Sequence, residues 1–365
     1  MEGLEGVWML AQINNALEND QVDIDDEDMQ TSPLVDDVFF VLSRSIERGM
    51  RTCDINCACA IANLVTNTLS VDFKDVLRNC LDDSKRLYQQ FAKSMANLQY
   101  TDGHALTNLF HDHEGKLRQD PITSLVSWPH CLNNLQITVS YIDTLKQTCD
   151  QFFDEYFPSG GVDDDKRPLF QHSIAALENV KEEFREVHAK ECRIGVGMLR
   201  VHLTPLLAPL DNMTYALSDE AYEDYQVNDP WCKAFLTMVE QLYAHLKRVI
   251  SPPSLSEMLN NLIDRVCNRM EETLKQKDFN LLGAIQLHQD IMTLSTFFQS
   301  LSETSVRHKF GRLNDIASLL NLETLNDFHA DFAGKAWKLS YPAEVRTILM
   351  LRTDFDQNSI QQIGL

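Results

Sequence analysis

The sequence predicts an all-α protein of consecutive stacked helical bundles, and three observations carry that prediction. Glycine (13) and proline (11) are scarce in a chain of 365 residues, whereas sandwiches and barrels use both in many tight turns. Apolar residues recur at steps of three and four along much of the chain, the spacing that gathers them on one helix face. No alternating β pattern of useful length and no fixed-period repeat stands against this.

Composition narrows the function classes. The length leaves room for two or three domains of about 100–200 residues, and a hydrophobic content of 44% supports a sizeable core. Acidic residues number 54 against 32 basic, a formal net charge of −22. Such a field repels phosphate backbones, and no compact Lys/Arg run offsets it, so nucleic acid is not expected as a partner. Simple adsorption to anionic lipid is opposed for the same reason. Nine cysteines, an odd count without framework spacing, read as reduced thiols of a cytosolic protein. No segment approaches the ~18 consecutive apolar residues that span a bilayer. Met1-Glu2-Gly3-Leu4-Glu5 has neither a basic nor an apolar signal region. Work at a membrane is therefore expected to be peripheral.

Residues 1–30 are expected to form an acidic, flexible segment. Asp23, Asp25, Asp26, Glu27 and Asp28 precede Ser32-Pro33, and like charges this close favour a solvated linker. The glycine and closing Glu of a calcium loop are missing. A first bundle is placed at 31–160. Val35, Val38, Phe39, Leu42 and Ile46 share one helix face, further helices follow at Ile55–Leu69 and about 73–98, and another runs from Trp128 or Leu132 through Phe153. Pro158-Ser159-Gly160-Gly161 before Asp163-Asp164-Asp165 is the best domain boundary.

A second bundle is placed at 165–302. Its first helix covers about 169–203 and pauses near Pro205 and Pro209. Asp229-Pro230-Trp231 reads as a helix start, with Asp229 as cap and Pro230 where a missing N–H costs nothing. Ser251-Pro252-Pro253-Ser254 ends that helix, and Ser254 with Glu257 is a capping box for the next. Leu255, Met258, Leu259, Leu262, Ile263, Val266, Met270 and Leu274 then form the clearest amphipathic stripe. After a helix over Leu281–Leu301, a small C-terminal bundle is placed at 303–365, with helices over Val306–Leu320 and from Pro342 to about Leu351.

Candidate chemistry is thin. Cys53, Cys57 and Cys59 have no second half-site for zinc and read as buried thiols on an apolar helix. His104, His111, His113 and Glu114 could share a metal, but lie in a loop without HExxH spacing, and a polar surface loop is the simpler reading. Ser159-Gly160-Gly161 lacks the Gly-Lys-Ser/Thr ending of a phosphate loop, and Gly195-Val196-Gly197 is a dinucleotide-site fragment in helical context. Glu182-Glu183 and Glu271-Glu272 read as solvated helix faces. No catalytic residue, cofactor site or metal site is assigned, and the chain is expected not to be an enzyme.

Several ordered stretches carry a resemblance. They are Ser32-Pro33-Leu34-Val35-Asp36-Asp37-Val38-Phe39, Asp72-Phe73-Lys74-Asp75-Val76-Leu77, Asn228-Asp229-Pro230-Trp231, Lys309-Phe310-Gly311-Arg312-Leu313, Leu320-Asn321-Leu322-Glu323, Pro342-Ala343-Glu344-Val345-Arg346 and Leu351-Arg352-Thr353-Asp354-Phe355. Over residues 31–365 the chain resembles the C-terminal portion of the subunit 4 family of the conserved oligomeric Golgi complex. The resemblance implies a rod of helical bundles and a non-enzymatic role in a Golgi vesicle-tethering complex. That complex supports retrograde transport within the Golgi and recycling of its resident enzymes. Implied partners are the other subunits of the complex, with SNAREs and their regulators. The implied location is the cytoplasmic face of Golgi membranes, as a peripheral membrane protein, and the cytosol. Family members are longer, with a coiled coil and many partner contacts in their N-terminal part, so Met1 is expected to begin a truncated or mispredicted chain.

The family's last bundle is held by an ion pair whose matching positions are Arg312 and Glu344. Asp229, Pro230, Trp231, Lys309, Phe310, Pro342, Arg346, Arg352 and Asp354 are further motif positions. A guanidinium–carboxylate pair can be bidentate and so fixes orientation, while local pairing of Arg312 with Asp315 is the plainer alternative. The chain departs from the family at Tyr341, where Ser or Thr is usual as a cap, with Ser340 one step earlier. The last helix is expected to start elsewhere or to be less stable. Two other readings stay open: a subunit of another helical tether or a generic scaffold, and a metal-dependent enzyme using the histidines at 104–113.

Overall fold

A computed structural model describes residues 2–20, 33–96, 119–158, 166–328, 339 and 343–362. Among them the protein is all-α, with no strand beyond isolated bridges. The helices are α1 (Glu2–Glu18), α2 (Leu34–Met50), α3 (Ile55–Asn67), α4 (Lys74–Ala96), α5 (Gln119–Tyr156), α6 (Lys166–Asn212) and α7 (Asp219–Asn228). They continue with α8 (Cys232–Val249), α9 (Pro252–Leu274), α10 (Leu281–Leu301), α11 (Gly311–Leu320), α12 (Ala343–Leu349) and α13 (Gln357–Gln362). Two compact units result: Met1–Ile194 with Leu246–Leu255, and Gly195–His245 with Ser256–Leu365. This division falls inside α6.

In the first unit, the face read from Val35, Val38, Phe39, Leu42 and Ile46 is buried. Asp36 and Asp37 occupy the first turn of α2, where the helix dipole favours negative charge. Phe39 packs on Phe73 at 6.5 Å between ring centres, and Phe73 on Phe184 at 6.3 Å. Asn133 is fully buried on α5; its Oδ1 accepts the Ser251 N–H (2.8 Å) and its Nδ2 donates to the Val249 carbonyl (2.9 Å).

Several expectations give way here. Residues 2–18 are a helix rather than a flexible segment, because Met9, Ile13 and Ala16 form a buried stripe. Arg48 supports it by pairing with Glu5 and lying 4.0 Å over the Trp8 ring. The acidic run at 23–28 lies outside the described residues. Helices read as ending at Leu69 and restarting at Phe73 are joined by a π-helical stretch, Thr68–Phe73. Cys53 is exposed with φ 55, and Cys57 and Cys59 are half-buried rather than buried. Cys53 precedes the Asp54 cap of α3, and two positions two residues apart on a helix cannot both face inward. Pro129, Pro205 and Pro209 all lie inside helices. Each proline removes one backbone donor, but buried Leu203 and Leu210 hold the last turns of α6 in place.

The capping box at Ser254 is also corrected, since α9 begins earlier, at Pro252. The Ser251 carbonyl accepts the Leu255 N–H at 2.9 Å, and Pro252 suits the first helical turn through its fixed φ. Ser254 Oγ instead meets Ser251 Oγ (2.9 Å) and His188 Nε2 (2.8 Å). Two further helices, α7 and α13, had no expectation in the sequence.

In the second unit a short backbone junction joins three segments. The Phe279 N–H donates to the Leu351 carbonyl and the Thr353 N–H to the Phe279 carbonyl, both at 2.8 Å, while the Asn280 N–H reaches the Tyr215 carbonyl at 3.3 Å. Tyr215 stacks on Phe279 with ring centres 4.9 Å apart. Gly283 opens α10 against this junction: a Cβ there would lie 1.6 Å from the Tyr215 carbonyl oxygen. Only glycine permits that approach.

Candidate functional site

The site is a set of polar nodes locking the helices of the second unit. The helix stripe on α9 turns Glu271 toward α11, which presents Arg312. Arg312 Nε and Nη2 donate to the two Glu271 oxygens at 3.0 and 2.6 Å, a bidentate pair. Nη2 also donates to Glu344 Oε1 at 2.7 Å, from the first turn of α12. Lys275, one turn after Glu271, donates to Glu271 Oε1 at 2.7 Å and to Glu344 Oε1 at 3.4 Å. One guanidinium and one ammonium thus hold two carboxylates, and the node ties α9, α11 and α12 together. The Arg312 bonds drive the Glu271 carboxyl down to about 2 and raise Arg312 above its ordinary range. Glu271 also raises Lys275.

The structure brings Arg312 and Glu344 together and adds a carboxylate that sequence reasoning had left on a solvated face. The Glu271 side chain is only 15% exposed. Its i,i+4 relation to Lys275, on the flank of the stripe through Met270 and Leu274, was the available signal. Glu182 and Glu183 pair with Arg185 (3.3 Å) and Lys74.

Arg352 forms the second node. The residue is 2% exposed, and its guanidinium grips Asp354 through Nε (2.7 Å) and Nη2 (2.8 Å). Its Nη1 donates to the Leu320 carbonyl and, at 3.0 Å, to the Leu322 carbonyl. Leu320 is the last residue of α11, so the cation sits at the negative end of that helix. The Phe355 ring lies 4.1 Å away, and the Arg352 bond holds the Asp354 carboxyl below its usual range.

A third node is neutral in its partners. Asp290, 4% exposed on α10, accepts bonds from Tyr215 (3.2 Å) and Tyr225 (2.9 Å) at Oδ2 and from Gln286 (2.9 Å) at Oδ1. Tyr225 in turn accepts the Trp231 indole N–H at 3.0 Å. Burial pushes the Asp290 carboxyl up to about 6 and raises both phenols. No periodic pattern announces such a network, and only Trp231 was singled out in the sequence.

The remaining motif positions fall around these nodes. Asp229 caps α8, its carboxylate accepting the N–H groups of Trp231 (3.2 Å), Cys232 (2.8 Å) and Lys233 (3.0 Å). The helix itself starts at Cys232, and Pro230 is exposed ahead of it. Lys309 donates to both Asp264 oxygens at 2.8 Å, Phe310 is fully buried beside Phe298, and Arg346 is half-buried on α12. Pro342, Ser340, Tyr341, His104, His111, His113, Glu114 and Ser159-Gly160-Gly161 lie outside the described residues. Gly195 and Gly197 lie within α6. Among the described residues, no group of three or more His, Cys, Asp or Glu is placed to hold a metal ion. No helix there is long and apolar enough to cross a membrane.

Two family models match the chain in succession. The one described as "COG4 transport protein, middle alpha-helical bundle" covers residues 2–81, and "Conserved oligomeric Golgi complex subunit 4, C-terminal" covers 130–347. The chain belongs to the conserved oligomeric Golgi complex subunit 4 family. Family members from Mus musculus and Homo sapiens are each 28% identical over 99% of this chain and 46% of their own length. The Arabidopsis thaliana member is 27% identical over 99% of this chain and 45% of its own. The chain therefore spans about half the length of the curated relatives it matches. Among solved structures, the C-terminal domain of the exocyst subunit Sec6p aligns over 99% of this chain and 87% of its own, with a TM-score of 0.63 at 10% identity. The Myo4p globular tail domain aligns over 98% and 88%, with a TM-score of 0.50 at 14% identity. Both are likenesses of fold. Glu271, Arg312 and Glu344 all lie within the C-terminal family match.

Proposed function

We propose that this chain is a non-enzymatic subunit of a Golgi vesicle-tethering complex, supporting retrograde transport within the Golgi and the recycling of its resident enzymes. The observation that carries this reading is the pair of subunit 4 family models, middle bundle and C-terminal region, met in that order along one chain. The site agrees in kind. Arg312, Glu271 and Glu344 spend their charges on one another across three helices, an arrangement that fixes helix positions. A catalytic acid or base must instead reach a substrate proton.

On this reading the partners are the other subunits of the complex, with SNAREs and their regulators contacted through the assembly. The chain then works at the cytoplasmic face of Golgi membranes as a peripheral component. The Arg312–Glu344 pair and the Arg352 grip serve as structural locks of the region that partners meet. Affinity purification of the tagged chain from its native cells, read by mass spectrometry alongside imaging, tests this. Co-purification with the complex and Golgi localisation are expected. A diffuse protein recovered without those subunits overturns the reading.

A further inference from the structure

The second unit carries a groove of about 460 Å³ lined by α6 and α9, with buried Phe235 of α8 also in its lining. Buried Leu203, Leu262 and Val266 line it, and Arg200, Arg265 and Arg269 stand exposed along it. Arg265 Nη2 lies beside Gly197 of α6: a Cβ there would sit 3.5 Å from it, in ordinary van der Waals contact. Arg265 and Arg269 are one turn apart on α9, a spacing at which like charges repel. Arg269 is already matched by Asp211, both of whose oxygens it reaches at 2.7 Å. The lining gathers three guanidinium groups against one carboxylate, Glu272, in a chain whose net charge is −22.

We propose that this groove docks an acidic amphipathic helix of a partner protein, its apolar face on the leucines and its carboxylates on the arginines. Length decides between a helix and a compact anion. The lining runs from Val196 to Leu207 on α6 and from Leu262 to Glu272 on α9, about 16 Å and 15 Å at 1.5 Å per residue. That is nearly three helical turns, the reach of anchors at i, i+3 or i+4, and i+7. A lone phosphate or headgroup would satisfy the guanidinium groups and leave the apolar lining uncovered. Carboxylates suit the arginines through planar bidentate bonds, and the acidic remainder of the surface repels every acidic ligand that misses the groove. The biological partner rests on the complex-subunit reading; the binding chemistry does not.

The test uses the purified chain and two synthetic helical peptides of about 16 residues with the same leucine spacing, flanked by Glu in one and Lys in the other. The Glu peptide is expected to bind at least about tenfold more tightly, and Arg200→Glu/Arg265→Glu is expected to abolish that preference. Thr204→Trp, at an exposed lining position, should weaken the Glu peptide while leaving thermal stability unchanged. Equal binding of the two peptides, or a preference that survives the double variant, overturns the proposal. So does charge-dependent binding seen only with phosphatidylserine vesicles, which would make the groove a lipid contact. In cells the double variant should lose one defined subunit and keep the rest of the complex. A wild-type chain that never enters the complex refutes the proposed function, while the peptide result still judges the groove.

Discussion

Two nodes of the second unit solve one problem in opposite ways. At Arg312 a carboxylate near the surface is met by cations from other turns and helices; at Asp290 a carboxylate 4% exposed is met only by hydroxyl and amide donors. Glu271 is accordingly held at about 2 by its Arg312 bonds, and Asp290 is lifted to about 6 by burial. Two acids on neighbouring helices are thus set about four units apart. A paired charge near water strengthens a seam while it stays ionised, whereas a buried one with neutral donors is most at ease when protonated.

Gly283 supports the buried node, and the largest effect is expected there. Gly283→Ala drives a Cβ to within 1.6 Å of the Tyr215 carbonyl oxygen, a backbone clash that no side-chain rotation relieves. Tyr215 must then withdraw from both Phe279 and Asp290. We expect a loss of about 4 kcal/mol or more, seen as a large drop in the urea midpoint. A near-normal midpoint would show that the junction does not hold the node.

The pH behaviour of the two acids should have opposite signs. Asp290 has a folded pKa near 6, above the ordinary 3.8, so the folded state holds more protons between those values. Its contribution is fully present below about pH 4 and is lost as pH rises through about 6, a change on the order of 3 kcal/mol. Glu271 lies near 2 against 4.5. Its contribution is present above about pH 4.5 and is lost as pH falls toward 2. Subtracting urea stabilities of Asp290→Asn from the unmodified chain should give a curve falling between about pH 4 and 6. The corresponding difference for Glu271→Gln should rise between about pH 2 and 4.5. A flat Asp290 difference would mean that the carboxyl titrates as it does in the unfolded chain.

Arg312→Ala comes next in size. It leaves Glu271 and Glu344 facing each other across Lys275. The arginine side chain is 38% exposed, so water replaces part of what is lost, and a cost of about 2 kcal/mol is expected. Arg312→Lys should recover less than half, because an ammonium cannot make the bidentate contact. Full recovery by lysine would reduce the node to a point-charge effect.

The sequence showed the helices wherever a stripe lay on one face, as in α2, α9 and α10. It failed where local punctuation was overruled by distant packing: Pro205 and Pro209 inside α6, and the acidic residues that hid the stripe of Met9 and Ile13 in α1. The same division runs through the site. Asp229 and its cap were legible because a cap is made within four residues. The Arg312–Glu344 pairing came from family resemblance, with local pairing to Asp315 left open by the residues alone. Glu271, Asp290 and the grip of Arg352 on the end of α11 depend on which helix faces which. No spacing along one chain encodes that.

The smallest effect should come from Lys275→Ala, and it separates the nodes most finely. Lys275 is 40% exposed and touches Glu271 and Glu344 at 2.7 and 3.4 Å. Its Glu271 contact is also an i,i+4 helix pair, which in isolation is worth a few tenths of a kcal/mol. Arg312 already satisfies both Glu271 oxygens, so the lysine adds attraction without adding orientation. A loss of about 0.5 kcal/mol is expected, shrinking as salt is raised toward ~0.5 M. Combined with Arg312→Ala, the two changes should cost more than their sum, since either cation alone still screens the two carboxylates from each other. Strict additivity would mean that Glu271 and Glu344 do not feel one another, and the node would then reduce to separate pairs.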